Sequence, residues 1–227
     1  MPRKCVTRKL RRIISLDGFS VGLRIMNCFQ NALDSKVVPF SRSSISVFEY
    51  VREEANIPFA MMDFGIHETG NINFYISYTG PLGGIGANKK VKVDISRTEM
   101  LAYPLEKKPM LGLYSDQDEC FIQCYSLDEV MAEKMRSLLS RTQPRDYYDL
   151  WYLCEVEGME MADHKYEFER KAKHKGLDPE QLLAKLDAKL PVFKSRWESS
   201  MKDQIAELPP FEQVNREIGK HFRMLSK

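Results

Sequence analysis

The chain has 227 residues, with 34 Lys and Arg against 32 Asp and Glu, and is 43% hydrophobic, 29% charged and 11% aromatic. That apolar share excludes a disordered tail, and charge this frequent, with no run near the ~18 consecutive apolar residues of a spanning helix, excludes a membrane protein. The formal charge of +2 names no partner, and the length fits one domain, or one with a helical annex.

Residues 1–12 carry six basic side chains (Arg3, Lys4, Arg8, Lys9, Arg11, Arg12), but Asp17 and Gly18 break the apolar run that a signal peptide requires. The basic start reads as a solvated tail, or as a contact to RNA backbone. Five scattered cysteines without His or Cys pairs nearby give no zinc spacing and read as reduced thiols of a cytoplasmic protein. Residues 21–33 suggest a helix closed before Pro39. At 44–55, Ile45, Val47, Phe48 and Val51 among charges predict an amphipathic helix capped by Ser44.

The middle third predicts strands. Residues 73–78 alternate, and after the Gly-rich turn 80–86 the strand 90–96 puts Val91, Val93 and Ile95 on one face. Lys92 and Asp94 then share the other face with Lys90 and Ser96. Residues 110–114 and 120–125 suggest two more strands. From Ser126 the period becomes helical: 126–141 with Ser126 and Glu129 in capping-box spacing, then 146–157, 178–189, 196–205 and 211–225. Residues 158–176 read as a polar connection or a solvated helix. The fold class is therefore α+β, a mixed sheet core over 1–125 followed by a helical half over 126–227.

The helix 126–141 holds the main anomaly. At about 100° per residue, Leu127, Val130, Met131, Met135 and Leu138 form the buried stripe, and Lys134 and Arg141 fall inside it. A buried ammonium without a counter-charge costs several kcal/mol, so these cations must meet anions, border a cleft or snorkel to solvent. Asp146 and Asp149 follow in Pro144-Arg145-Asp146-Tyr147-Tyr148-Asp149, three residues apart and hence neighbours on a helix, and Asp146 can also cap its start.

The run Leu127-Asp-Glu-Val-Met-Ala-Glu-Lys134, then Arg141, then Arg145-Asp146-x-x-Asp149 resembles the third motif of the AbiEii/AbiGii toxin family of nucleotidyltransferases. The acidic position ahead of the Lys stays open among Asp128, Glu129 and Glu133. Residues 74–83 and 91–99 resemble that family's hairpin and second motif. The resemblance implies a polymerase-β-like nucleotidyltransferase core that transfers NMP from an NTP to RNA, for some members the acceptor end of tRNA. It also implies magnesium as cofactor and membership of a bacterial toxin–antitoxin or phage-defence pair with a winged-helix antitoxin encoded nearby. By the same resemblance Asp94 is the strand carboxylate at the metal, Lys134 contacts the triphosphate and Asp149 positions a basic group or the acceptor. Arg141, Arg145, Asp146 and Lys92 become substrate-binding candidates.

The sequence departs from the family at its first motif, a Gly-Ser or Gly-Thr turn ahead of a paired Asp-x-Asp. Asp17 and Asp34 stand alone, and the Asp-x-Asp at Asp116 and Asp118 lies on a turn after the Asp94 strand. A degenerate copy, a missing start or a shifted frame over 1–40 each accounts for that gap, and each implies weak or absent catalysis. The alternative function is therefore an impaired remnant that only binds nucleotide or RNA.

Overall fold

A computed structural model describes residues 59–68, 71–79, 89–96, 99–109 and 121–225, together with Glu49 and Glu53, both helical. The readings for residues 1–40, the turn 80–86, the strand 110–114, and Asp17, Asp34, Asp116 and Asp118 lie outside the described residues. The chain divides into two compact units, one containing the described residues 59–99 and 107–123, the other 100–106 and 124–225.

The first unit is built on an antiparallel sheet in the order β1 (Phe59–Ile66), β2 (Ile72–Tyr78), β3 (Lys89–Ile95). Alternation sorts its faces: Ile72, Phe74 and Ile76 of β2 are buried, and Phe74 and Ile76 pair with Val93 and Val91. Lys92 and Asp94 share the polar face, as the spacing predicts, and lie opposite Tyr75 and Asn73. Strand β1 was not predicted. Its sequence FAMMDFGI does not alternate because the register shifts between Met62 and Gly65, where Asp63 takes a left-handed φ of 55°. A side chain at Gly65 would begin 2.6 Å from Asn73 Oδ1, which the Asn73 Nδ2 contact to His67 Nε2 at 2.9 Å holds in place. Strands β4 (Glu106–Pro109) and β5 (Phe121–Cys124) pair as a second, two-stranded sheet.

The second unit is helical, with α1 (Leu127–Ser140), α2 (Pro144–Glu155), α3 (Lys165–His174), α4 (Leu182–Met201) and α5 (Phe211–Leu225). Short 3-10 turns at Met161–His164 and Pro179–Gln181 lead into α3 and α4. Met131, Met135 and Leu138 of α1 join Leu150 of α2, Phe193 and Trp197 of α4 and Ile218 of α5 in one core. Tyr147 sits at its centre, its ring 5.4 Å from Phe193, 6.3 Å from Phe211 and stacked on Phe222 at 6.1 Å. Its hydroxyl donates to Asn215 Oδ1 at 2.8 Å. Tyr147→Phe keeps the packing but strands that acceptor, and is expected to lower the unfolding free energy by about 1–2 kcal/mol in urea titrations. No helix among the described residues is long and apolar enough to cross a membrane.

Several boundaries differ from those predicted. Pro144 opens α2, where the missing N–H is harmless, and Gln143 rather than Asp146 is the cap. The helices expected at 178–189 and 196–205 are one, α4, which passes straight through Pro191. The polar stretch 158–176 contains α3, whose Phe168, Lys171 and Ala172 are buried. Ser126 caps α1, its Oγ accepting from the Glu129 N–H at 3.1 Å. The Glu129 carboxylate, however, does not complete the capping box. Its Oε2 accepts the backbone N–H groups of Ala102 at 2.8 Å and Tyr103 at 2.9 Å, and its Oε1 meets Lys171 Nζ, which also donates to the Met100 carbonyl at 2.8 Å. Glu129 and Lys171 thus form a buried ion pair that fixes the segment 100–103 on α1 and α3.

Candidate functional site

The Lys134 ammonium leaves α1 within the buried stripe and meets two carboxylates of α2, Asp146 Oδ1 and Asp149 Oδ2, each at 2.8 Å. Both acids face it because they lie one turn apart on the same helix. Arg141, the residue that ends α1, closes the group from the other side. Its Nε donates to Asp146 Oδ2 at 2.7 Å and its Nη2 to Asp146 Oδ1 at 3.0 Å, a two-pronged fork of the kind guanidinium geometry favours. Asp146 is fully buried, whereas the Arg141 side chain remains 45% exposed.

Burial alone would push the Asp146 carboxyl up, but the hydrogen bonds and charges of Arg141 and Lys134 outweigh it and hold the carboxyl below its ordinary range. Burial likewise opposes the charge on Lys134, and the fields of Asp149 and Asp146 overcome it, so its pKa lies above the usual lysine value. The hydrogen bond to Asp146 raises Arg141 in the same way. Lys134, Arg141 and Asp146 therefore carry charge at neutral pH.

The sequence gives no hint of Lys189. From α4 its Nζ donates to the Leu138 carbonyl and, at 3.1 Å, to the Arg141 carbonyl, so a lysine from another helix tethers the end of α1. The last turn of α1 has no basic residue of its own, so this cation also offsets the helix dipole. Arg141 is thus fixed at its backbone by Lys189 and at its side chain by Asp146.

The remaining candidates are placed differently. Arg145 is exposed in the first turn of α2. Asp94 and Lys92 project from the polar face of β3 and pair with each other, Nζ to Oδ2 at 3.0 Å, both more than half exposed. Asp94 is the carboxylate expected to hold magnesium. Among the described residues no three His, Cys, Asp or Glu side chains converge on a point that could hold an ion. The described carboxylates therefore do not assemble a magnesium site. Cys124 and Cys154 are buried thiols outside any disulfide, and burial, followed by the fields of Glu160 and Glu155, pushes the Cys154 thiol up to about 12, which makes it inert.

The protein is thus an α+β chain with an antiparallel sheet, a helical C-terminal half and a Lys–Arg–Asp–Asp cluster at the α1–α2 junction. The profile of the family described as nucleotidyl transferase AbiEii toxin, Type IV TA system, matches residues 42–217. The chain belongs to that family of nucleotidyltransferase toxins. No curated protein matches the sequence. Among solved structures, JHP933 from Helicobacter pylori is similar at 13% identity, covering 84% of this chain and 71% of that one with a TM-score of 0.44. A candidate nucleotidyltransferase from H. pylori is similar at 12% identity, covering 99% and 96%, with a TM-score of 0.43.

Proposed function

We propose that the protein is a cytoplasmic toxin that transfers NMP from an NTP to RNA, with the acceptor end of tRNA as target, and that an antitoxin encoded nearby opposes it. One observation carries the reading: Lys134, Arg141, Asp146 and Asp149, set at the spacing of the motif the sequence resembles, converge into one charged cluster with distances of 2.7–3.0 Å. In this reading Lys134 and Arg141 hold the triphosphate, Asp149 and Asp146 fix the ammonium, and Arg145 and Lys92 contact substrate. Residues 1–125 form the catalytic core and 126–227 the helical domain. The magnesium that the resemblance implies would need carboxylates beyond the described ones, with Asp94 as one ligand.

A second reading has an observation of its own. Asp94 is neutralised by Lys92 and no metal-capable group forms among the described residues, which suits a copy that binds nucleotide or RNA without transferring. Label from each of the four NTPs, incubated with magnesium and total tRNA, distinguishes the two. Transfer by the parent chain that falls at least tenfold in Lys134→Ala, the order expected for one charged contact, supports the enzyme. No transfer at any NTP, with nucleotide binding retained, supports the remnant.

A further inference from the structure

Around Asp146 the cations outnumber the carboxylates, and the surplus lies on α4. Lys134 and Arg141 are neutralised by Asp146 and Asp149, while Glu133, whose field also reaches Arg141, is taken up by Arg136 at 2.5 Å and Lys171 at 3.2 Å. Lys189 and Lys185 are left. They sit one turn apart on α4, and neither forms an ion pair with a carboxylate among the described residues. Asp187, between them in sequence, acts on Tyr147. Like charges four residues apart on a helix repel, and Lys189, lowered first by burial, is lowered again by Lys185. The field of Asp146 and the two carbonyls offset Lys189 only in part, and an anion would relieve the repulsion that remains between the two lysines.

The donors for an anion are present. Lys189 spends its protons on the Leu138 and Arg141 carbonyls but an ammonium has three, and the fork from Arg141 to Asp146 uses Nε and Nη2 and leaves Nη1 outside it. We propose that Lys185, Lys189 and the exposed edge of Arg141 form a phosphate-binding subsite, an extension of the Lys134 cluster that rests on the nucleotidyltransferase reading. The phosphate belongs either to the nucleotide triphosphate or to the polynucleotide backbone, two sources with the same recognition chemistry.

The test is calorimetric, on the full chain, with inorganic tripolyphosphate and, separately, a 5′-hydroxyl single-stranded oligonucleotide. Lys185→Gln removes one half-buried cation and, among the described residues, no hydrogen bond to the fold, so its thermal midpoint should match the parent. Its affinity for tripolyphosphate should fall about tenfold, the loss expected for one charged contact. A fall for the oligonucleotide alone keeps the subsite and assigns it to the polynucleotide. Lys189→Arg, which retains charge and donors, should bind as the parent does, whereas Lys189→Gln should lose both affinity and stability. Unchanged affinity of Lys185→Gln for both probes, or no binding of either probe by the parent, overturns the subsite. The transfer assay is read independently: an inactive parent whose tripolyphosphate affinity still depends on Lys185 loses the enzyme reading and keeps the subsite. An active parent indifferent to Lys185 does the reverse.

Discussion

Glu129→Ala is expected to lower the unfolding free energy by about 3–5 kcal/mol, the cost of removing one partner from a buried ion pair. The carboxylate is fully buried and Lys171 retains only 3% side-chain exposure, so the ammonium left behind gains little water. Glu133 Oε2, at 3.2 Å, compensates in part, but Glu133 is already held by Arg136. The Ala102 and Tyr103 N–H groups lose their acceptor as well, and the segment 100–103 loses its attachment to α1. Urea unfolding of the single variant and of Glu129→Leu/Lys171→Met separates charge from volume. The double variant should recover part of the loss, because apolar groups of similar size replace a buried pair at little net cost. A loss below about 1 kcal/mol in the single variant would show that the pair is solvated and the clamp absent.

The same pair shows how far the sequence could be read. Lys134 was legible because it falls in the middle of an apolar stripe, where a cation must meet an anion, border a cleft or snorkel, and Asp146 and Asp149 stood at the right spacing beyond Pro144. Lys171 obeys the same logic, lying with Phe168 and Ala172 on the buried side of α3. Yet seven of the ten residues of α3 are charged or His, and that density hid a stripe of three. Ser126 and Glu129 announced a capping box, and the cap itself formed. The carboxylate went instead to two backbone donors and a lysine remote in sequence, which no local pattern encodes. Strand β1 failed for a backbone reason, since the irregularity at Asp63 destroys the alternation on which strand prediction relies. Continuity of α4 through Pro191 was missed because proline reads as a stop, although packing of Leu186, Phe193 and Trp197 holds the helix on both sides of it. Lys189 is the clearest limit. A cation that reaches carbonyls some fifty residues away leaves no trace in periodicity, spacing or motif.

Asp146→Asn is expected to cost about 3 kcal/mol at neutral pH, toward the lower end for a broken buried pair, because Arg141 can turn into water and Lys134 keeps Asp149. Its larger signature is in pH. The folded state holds the Asp146 carboxyl below its unfolded value, so its contribution is complete above about pH 4 and disappears as the pH falls through the lower folded value. Lys134 runs the other way. Its pKa is raised on folding, so its contribution is complete below the unfolded lysine value and is lost only as the pH climbs through the higher folded one. Between those limits the contributions of Asp146 and Lys134 are pH-independent. Chemical denaturation at a series of pH values from about 2.5 to 7 should therefore show the parent losing stability steeply at the acid end and Asp146→Asn losing less there, so the two curves converge as the pH falls. Curves that run parallel over the whole range would mean that Asp146 titrates alike folded and unfolded. The fork from Arg141 and the ion pair with Lys134 would then be absent in solution, and the charged cluster on which the nucleotide-binding reading depends would go with them.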